Sequence, residues 1–366
     1  MQLTLTDEQV QLRDSVRRFV DREHAERDPS HLGFDEAIWA VFAEQGWLAA
    51  GLPEAVGGLG GGAMTTAVIT EELGRGLVPE AFTAVAATAA QLLYALEPEG
   101  ERLQSLMWGQ LRPVPAHLEA DGRGDERWIE TRAVRDGEGY LLNGAKTAVL
   151  GGPAADLLLV TARDGDGLTV FAVPPDAPGL SRLDYRTVDG RGASNLTLDG
   201  VRLGLDAVVG QAGGAWPAVE RAIDHGLVAA AAEAVGAMDV AFELTREYLK
   251  TRKQYNTVIG EFQALRHRLA DMFIECEQAR SIVLRAVAAL ESDAAERGRL
   301  ASAAKVRVAQ AGRYVTAQAI QLHGGIGMTK EYPVGRHFQR LTVFNLTGGA
   351  EAAHLERYVR LGAGAA

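Results

Sequence analysis

From Trp216 onward the chain is dominated by long helix-forming stretches, the first running from about 218 to 251 without a proline. A continuous helix of that span would be ~50 Å long. It can bury an apolar face only by lying along partners of comparable length. The apolar spacing predicts such partners at about 261–291, 296–323 and 349–361, so 215–366 reads as a four-helix bundle. Ala229 to Ala232 on the first helix are small enough to let a neighbour or a ligand come close.

Upstream the pattern changes twice. Thr6 with Gln9 forms a capping-box signature, and Val10, Val16, Phe19 and Val20 follow at helical spacing. A second helix is predicted over 35–46, capped by Asp35, turning Ile38, Trp39 and Phe42 inward and stopping at Gly46. Further helices fit 63–76 and 82–109, which makes 1–111 an α-helical domain. Between 112 and 214 short β-favouring runs such as Asp156-Leu-Leu-Leu-Val-Thr161, Leu168-Thr-Val-Phe-Ala-Val173 and Asn195-Leu-Thr-Leu198 are separated by Asp-Gly and Pro signals. Strands without intervening helices argue for a small antiparallel barrel or sandwich. The expected fold class is α+β, in the order helical domain, β-domain, helical bundle.

The 366 residues carry 37 basic and 48 acidic side chains, a net charge of −11, which argues against nucleic acid or an anionic membrane as the main partner. The first residues lack the charged and apolar regions of a secretory leader, and no apolar run approaches ~20 residues, so no membrane span and a cytoplasmic location are expected. The single cysteine, Cys276, excludes an internal disulfide and reads as a small helix residue. Eight scattered histidines offer no zinc-binding spacing, so no metal is expected.

One segment stands apart. Gln321-Leu-His-Gly-Gly-Ile-Gly places glycines and polar groups where a long helix should end. Without a Cβ, Gly324 and Gly325 would let backbone N–H groups approach a phosphate, and the Gln321 amide can donate and accept. A glycine-rich helix cap is the plain alternative. Gly57-Gly-Leu-Gly-Gly-Gly62 also meets a dinucleotide-binding pattern, but it follows a helix and a Leu-Pro-Glu turn instead of a strand, which argues against a nicotinamide site.

Thr251-Arg-Lys-Gln-Tyr-Asn-Thr-Val-Ile-Gly-Glu-Phe-Gln263, taken with Gln321-Leu-His-Gly-Gly-Ile-Gly327 and Leu52-Pro-Glu-Ala-Val-Gly-Gly-Leu-Gly60, closely resembles the acyl-CoA dehydrogenase family of flavoproteins. The helical, β, helical order extends the resemblance over nearly the whole chain. The resemblance implies an FAD cofactor held by Arg252, Gln254, Tyr255, Gln263, Gln321, Gly324 and Gly325, with these groups reaching the FAD of an adjacent subunit. Tyr255 stands where the family usually has Phe. Arg252 brings a permanently charged donor fork suited to a diphosphate. The implied reaction is oxidation of the Cα–Cβ bond of an acyl-CoA, in which a carboxylate takes the α-proton, the flavin takes the hydride and an electron-acceptor flavoprotein reoxidises it.

The chain departs from that pattern where the chemistry lies. The family's Tyr-Glu-Gly-Thr sequence corresponds to the run Leu346-Thr-Gly-Gly349, which puts Thr347 in the place of the base. The alternative base position, early in the first helix of the bundle, holds Gly226, followed by Leu227 in place of Arg. Glu351 and Asp224 are the nearest substitutes. The flavin's ring contacts are altered too: Ala116-His-Leu-Glu-Ala-Asp121 replaces a Thr-Glu-Pro stretch, and Ala148 and Leu150 replace the Trp and Thr that follow Asn143-Gly-Ala-Lys146. Each lost stacking or hydrogen-bonding contact weakens flavin binding by about 1 kcal/mol. Three readings follow: the supporting subunit of a heteromeric, α2β2-type acyl-CoA dehydrogenase; a self-sufficient enzyme, dimeric or tetrameric, with a relocated base; and a flavin monooxygenase-like relative.

Overall fold

The computed structural model describes residues 5–24, 34–165 and 167–363. Helix α1 (Asp7–Phe19) begins at the predicted capping box, with Gln9 N donating to Thr6 Oγ1 (3.3 Å) and Thr6 N to Gln9 Oε1 (3.1 Å). Helix α2 (Glu36–Glu44) is capped by Asp35, whose carboxylate accepts from Ala37 N at 2.7 Å. Phe19, Phe42, Trp47 and Phe82 then pack ring against ring, mostly edge to face, and tie α1, α2 and the following segments together. Helix α3 (Gly62–Arg75) runs close to its predicted limits, and the Gly57–Gly62 run that precedes it is a loop behind a 3₁₀ turn, with no strand before it.

The single helix predicted over 82–109 is instead three pieces: a wide π-helical stretch, Thr83–Ala89, then α4 (Ala90–Leu96) and α5 (Glu101–Met107). The break has a local cause. Glu97 precedes Pro98, whose ring disfavours helical backbone at the residue before it, and Glu97 sits at φ −143°.

The middle of the chain forms one eight-stranded sheet. Its strands are β1 (Pro113–Ala116), β2 (Arg132–Asp136), β3 (Gly139–Leu150), β4 (Leu157–Asp164), β5 (Gly167–Val173), β6 (Leu180–Arg186), β7 (Gly192–Gly204) and β8 (Val208–Val209). They run in the order β6-β7-β3-β2-β4-β5-β8, with β1 also on β4. The pairings are antiparallel as expected, except that β4 pairs in parallel with β1 and with β2. The inward faces of these strands share one apolar core with the N-terminal helices.

The bundle follows: α6 (Trp216–Thr251), a two-stranded hairpin β9 (Lys253–Gln254) and β10 (Thr257–Val258), then α7 (Gln263–Ala289), α8 (Ala294–His323), α9 (Val334–Leu346) and α10 (Glu351–Ala363). The sequence reading missed α9. Its apolar stripe of Val334, Leu341, Val343 and Phe344 is buried, but it follows Pro333 directly and has no side-chain cap to announce it. Helix α6 lies backbone to backbone on α3: a Cβ at Gly74 would fall 2.0 Å from Glu233 O, and one at Gly236 1.9 Å from Glu71 O. The helical regions therefore flank the sheet and lock together through α6. Among the described residues no helix is long and apolar enough to cross a membrane. Cys276 is buried in the bundle, and burial pushes its thiol up to about 12, the behaviour of an inert packing residue.

Candidate functional site

Helix α6 turns Ile223, Gly226, Leu227, Ala230, Glu233 and Ala234 along one stripe, the i, i+3, i+4, i+7 spacing of a single helix face. This stripe lines a cavity of about 210 Å³. Opposite it stand Ala84 and Thr88 of the π-helical stretch, Pro115, His117 and Leu118 at and just after the end of β1, Glu126, and Phe344, Thr347 and Gly348 around the end of α9. A second recess of about 330 Å³ adjoins the first, sharing Ala84, Thr88, Leu118, Leu150 and Thr347, and is floored by Ala120, Thr147 and Ala148. The floor is a β-bulge: the β3–β7 register slips between Lys146 and Val149, and Ala148 takes φ 51°. Asn195 Oδ1 holds that unfavourable conformation by accepting from Ala148 N (3.0 Å) and Thr147 Oγ1 (3.1 Å).

Neither position expected for a base presents a carboxylate to the cavity. Thr347 lines both recesses, but its hydroxyl turns back to donate to Val343 O at 2.9 Å, and its carbonyl accepts from Lys305 Nζ at 2.7 Å. The next residue, Gly348, faces α6, and a Cβ there would meet Leu227 Cδ2 at 2.9 Å. A Cβ at Gly226 would lie 2.2 Å from Thr88 Oγ1. Leu227 and Thr88 thus fill the volumes that side chains at 348 and 226 would occupy. Leu227 stood out in the sequence as a replacement for Arg; nothing local marked Thr88 or Gly348.

The two substitute carboxylates lie away from the cavity wall. Asp224 is fully buried between Arg297 (Nε to Oδ2, 2.8 Å) and Arg357 (Nη1 to Oδ1, 2.7 Å). Burial raises its proton affinity while the two guanidiniums oppose that rise. Glu351 opens α10, accepts from the Gln310 amide and stands 3.4 Å from Arg313.

The ionisable groups that do line the cavity were not predicted. Burial would raise Glu233, but Arg191 and Arg340 hold it below the usual carboxylate range, and Thr83 Oγ1 donates to it at 3.0 Å. Burial moves Glu126 the other way, up to about 7, despite Arg357 nearby. Lys305, buried against the carbonyls of Phe344 and Thr347, is pushed down to about 7 by desolvation. His117, buried and near Lys146, falls to about 4 and is neutral, its ring bridging Thr161 Oγ1 (3.0 Å) and Glu126 O (2.7 Å).

The seven residues expected to hold a diphosphate cofactor lie at one end of the bundle. Tyr248, near the end of α6, stacks on His323, the last residue of α8, with ring centroids 4.5 Å apart. That contact brings Arg252 and the Gln321-to-Gly325 segment to the same end. Tyr255 and Asn256, at φ 53° and 62°, make the two-residue turn of the β9–β10 hairpin with the backbone signs of a type I′ turn. Tyr255 is 89% exposed at its tip. The side chains of Arg252, Gln254, Gln263 and Gln321 are exposed and make no hydrogen bond or ion pair among the described residues. A Cβ at Gly324 or Gly325 would meet nothing within 4 Å. Permanent charge, free amides and open backbone fit the diphosphate half of FAD. The ring half fits less well, because the Ala148–Leu150 floor offers no indole plane and no hydroxyl at those positions.

The acyl-CoA dehydrogenase N-terminal, middle and C-terminal domains match residues 6–104, 118–201 and 213–361. A Bacillus subtilis (strain 168) protein named probable acyl-CoA dehydrogenase YngJ is 30% identical over 98% of both chains. Among solved structures, a variant of the Tcur3481-Tcur3483 steroid ACAD superposes with a TM-score of 0.87 at 32% identity over 99% of both chains. The ChsE4-ChsE5 complex from Mycobacterium tuberculosis gives a TM-score of 0.88 at 26% identity, again over 99% of both.

Proposed function

Because the chain belongs to the acyl-CoA dehydrogenase family, we propose that it works as the supporting subunit of a heteromeric, α2β2-type enzyme that oxidises an acyl-CoA with FAD. One observation carries this reading: at the two expected base positions stand Thr347, whose hydroxyl is turned back to Val343 O, and Gly226, where a Cβ would fall 2.2 Å from Thr88 Oγ1, while the diphosphate end stands open. FAD, when bound, supplies the hydride acceptor. This chain's contribution is to hold the cofactor's diphosphate with Arg252, Gln254, Gln263, Gln321 and the backbone at Gly324 and Gly325, with Tyr255 extended on its hairpin toward a neighbouring chain. Two of the similar solved structures, the Tcur3481-Tcur3483 steroid ACAD and the ChsE4-ChsE5 complex, pair two named chains, which supports a mixed assembly. A steroid-bearing substrate is in keeping with the small residues Ala230 and Ala234 along the cavity wall and with the steroid ACAD among those structures.

The test is expression of the chain alone and together with a homologue that carries a Tyr-Glu-Gly-Thr sequence. Bound flavin per chain and bleaching by acyl-CoA are then measured. The reading predicts poor flavin retention and no bleaching alone, with both restored in the mixed assembly. Full flavin and rapid bleaching by the lone chain would sink it. One cavity group favours the self-sufficient alternative: Glu126 lines the cavity with a proton affinity near neutrality, as a base requires. If the lone chain bleaches and Glu126→Gln stops it, that alternative replaces the first. Normal flavin without bleaching, but with oxygen consumed on another substrate, would favour a monooxygenase-like activity.

A further inference from the structure

Glu126 differs from Glu233 and Asp224, two other buried carboxylates. Glu233 accepts from Thr83 and from two guanidiniums, and Asp224 accepts from Arg297 and Arg357. The Glu126 side chain is more than nine-tenths buried and lines the cavity, yet neither carboxylate oxygen receives a hydrogen bond among the described residues. Arg357 Nε is 2.7 Å from Oε1, but it lies off the N–H direction, so the contact is an ion pair without a hydrogen bond. Arg357 is also shared: Asp224 takes its Nη1, and Glu220 stands 3.8 Å from its Nη2. Arg297 is committed to Asp224, and Arg127 faces Glu220 at 3.5 Å. Buried polar atoms are nearly always hydrogen-bonded, and an exception at a cavity wall is explained by a partner that enters the cavity.

We infer that the inner cavity takes a largely apolar ligand carrying a hydroxyl group, which meets Glu126. The body of the ligand is apolar because most of the surface the cavity exposes is apolar, with Ala84, Gly226, Ala230 and Ala234 among the residues that line it. A hydroxyl is the matching polar group because it can donate to the ionised carboxylate and accept from the protonated acid. With Glu126 pushed up to about 7, both forms are present near neutrality. A plain alkyl group meets neither need. The inference goes beyond the subunit assignment and does not depend on it, since the cavity and its carboxylate lie within this chain.

The test uses the purified full-length chain and two probes of matched shape, cyclohexylmethanol and methylcyclohexane, with affinities from NMR titration. In a wholly apolar cavity the alcohol binds the more weakly, because its hydroxyl leaves water for nothing. Here the alcohol is expected to bind at least as tightly as the hydrocarbon. Glu126→Leu should weaken the alcohol about tenfold and leave the hydrocarbon unchanged, whereas Glu126→Gln should keep most of the preference. Ala230→Phe, which fills the cavity from α6, should abolish both. A hydrocarbon that binds more tightly than the alcohol to the unaltered chain overturns the inference, as does failure of both probes to bind. Those two affinities decide the matter even if a Glu126 variant does not fold. Flavin loading does not enter the readout, so this inference and the subunit assignment can fail separately.

Discussion

At the Arg252 end of the bundle, side chains stand exposed in solvent; at Gly226 and Gly348, which line the cavity, an added Cβ would fall 2.2 Å from Thr88 Oγ1 and 2.9 Å from Leu227 Cδ2. One stands open to solvent; at the other, Thr88 and Leu227 stand close against the two glycines of the cavity wall. The contrast teaches that a position's neighbours decide what it can hold: a side chain added at Gly226 would have to displace Thr88, whereas one added at Gly325 would displace nothing.

The strongest way to break the comparison is to attack the packed region's charges. Asp224→Ala leaves Arg297 and Arg357 without their shared carboxylate in a buried setting, and should cost about 3–5 kcal/mol of folding stability in urea denaturation. A small effect would mean that the cavity region is far looser than it is drawn here.

Acid should separate the regions next. His117 and His354 are lowered to about 4 and His225 and His337 to about 3, all through burial first, and all lie around the packed half. For a base whose folded value is depressed, the unfolded chain binds more protons below about pH 6.5, so stability is present above that pH and is lost as pH falls. Glu126, raised to about 7, works in the opposite sense, gaining stability as pH falls from 7 toward its unfolded range. Those four histidines against Glu126 alone give a loss on the order of 3 kcal/mol between pH 7 and 5.5, and the other carboxyls that burial raises, Asp224 and Glu71 among them, reduce it. Urea midpoints at the two pH values check both the sign and the size.

Gly226→Val places a side chain where Thr88 Oγ1 already sits, and an overpacking cost of about 1–3 kcal/mol is expected, visible as a lower thermal midpoint. The paired substitution Thr88→Ala should recover part of it. The smallest effect belongs to the open end. Gly325→Ala should change stability by less than about 0.5 kcal/mol. Arg252→Ala should leave folding equally untouched and lower FAD affinity in the mixed assembly by about tenfold, read from flavin retained on dilution. Loss of stability from either would contradict the exposed, partner-free surface described here.

How far the residues alone could be read depended on the range of the interaction. The capping box at Thr6, the Asp35 cap, the long proline-free helix after Trp216 and the polar glycine segment after Gln321 are set by neighbours a few positions apart, and each was legible. The split of 82–109 was equally local, in Pro98, but it went unread because good helix formers flank it on both sides. Helix α9 hid because it owes its place to burial against the bundle and has no cap of its own.

The sequence by itself determined the order of helical and β regions, the family resemblance and the absence of Glu at the expected base positions, since all of these rest on residue identity and short-range spacing. Only the tertiary structure decided what surrounds those positions. Thr88 meets Gly226, Leu227 meets Gly348, and Glu126 meets Arg357 across distant parts of the chain, and such contacts are made by packing, which no local pattern records. For the same reason Asp224 and Glu351 looked equivalent in the sequence, whereas the fold seals one between two arginines and sets the other at the start of α10.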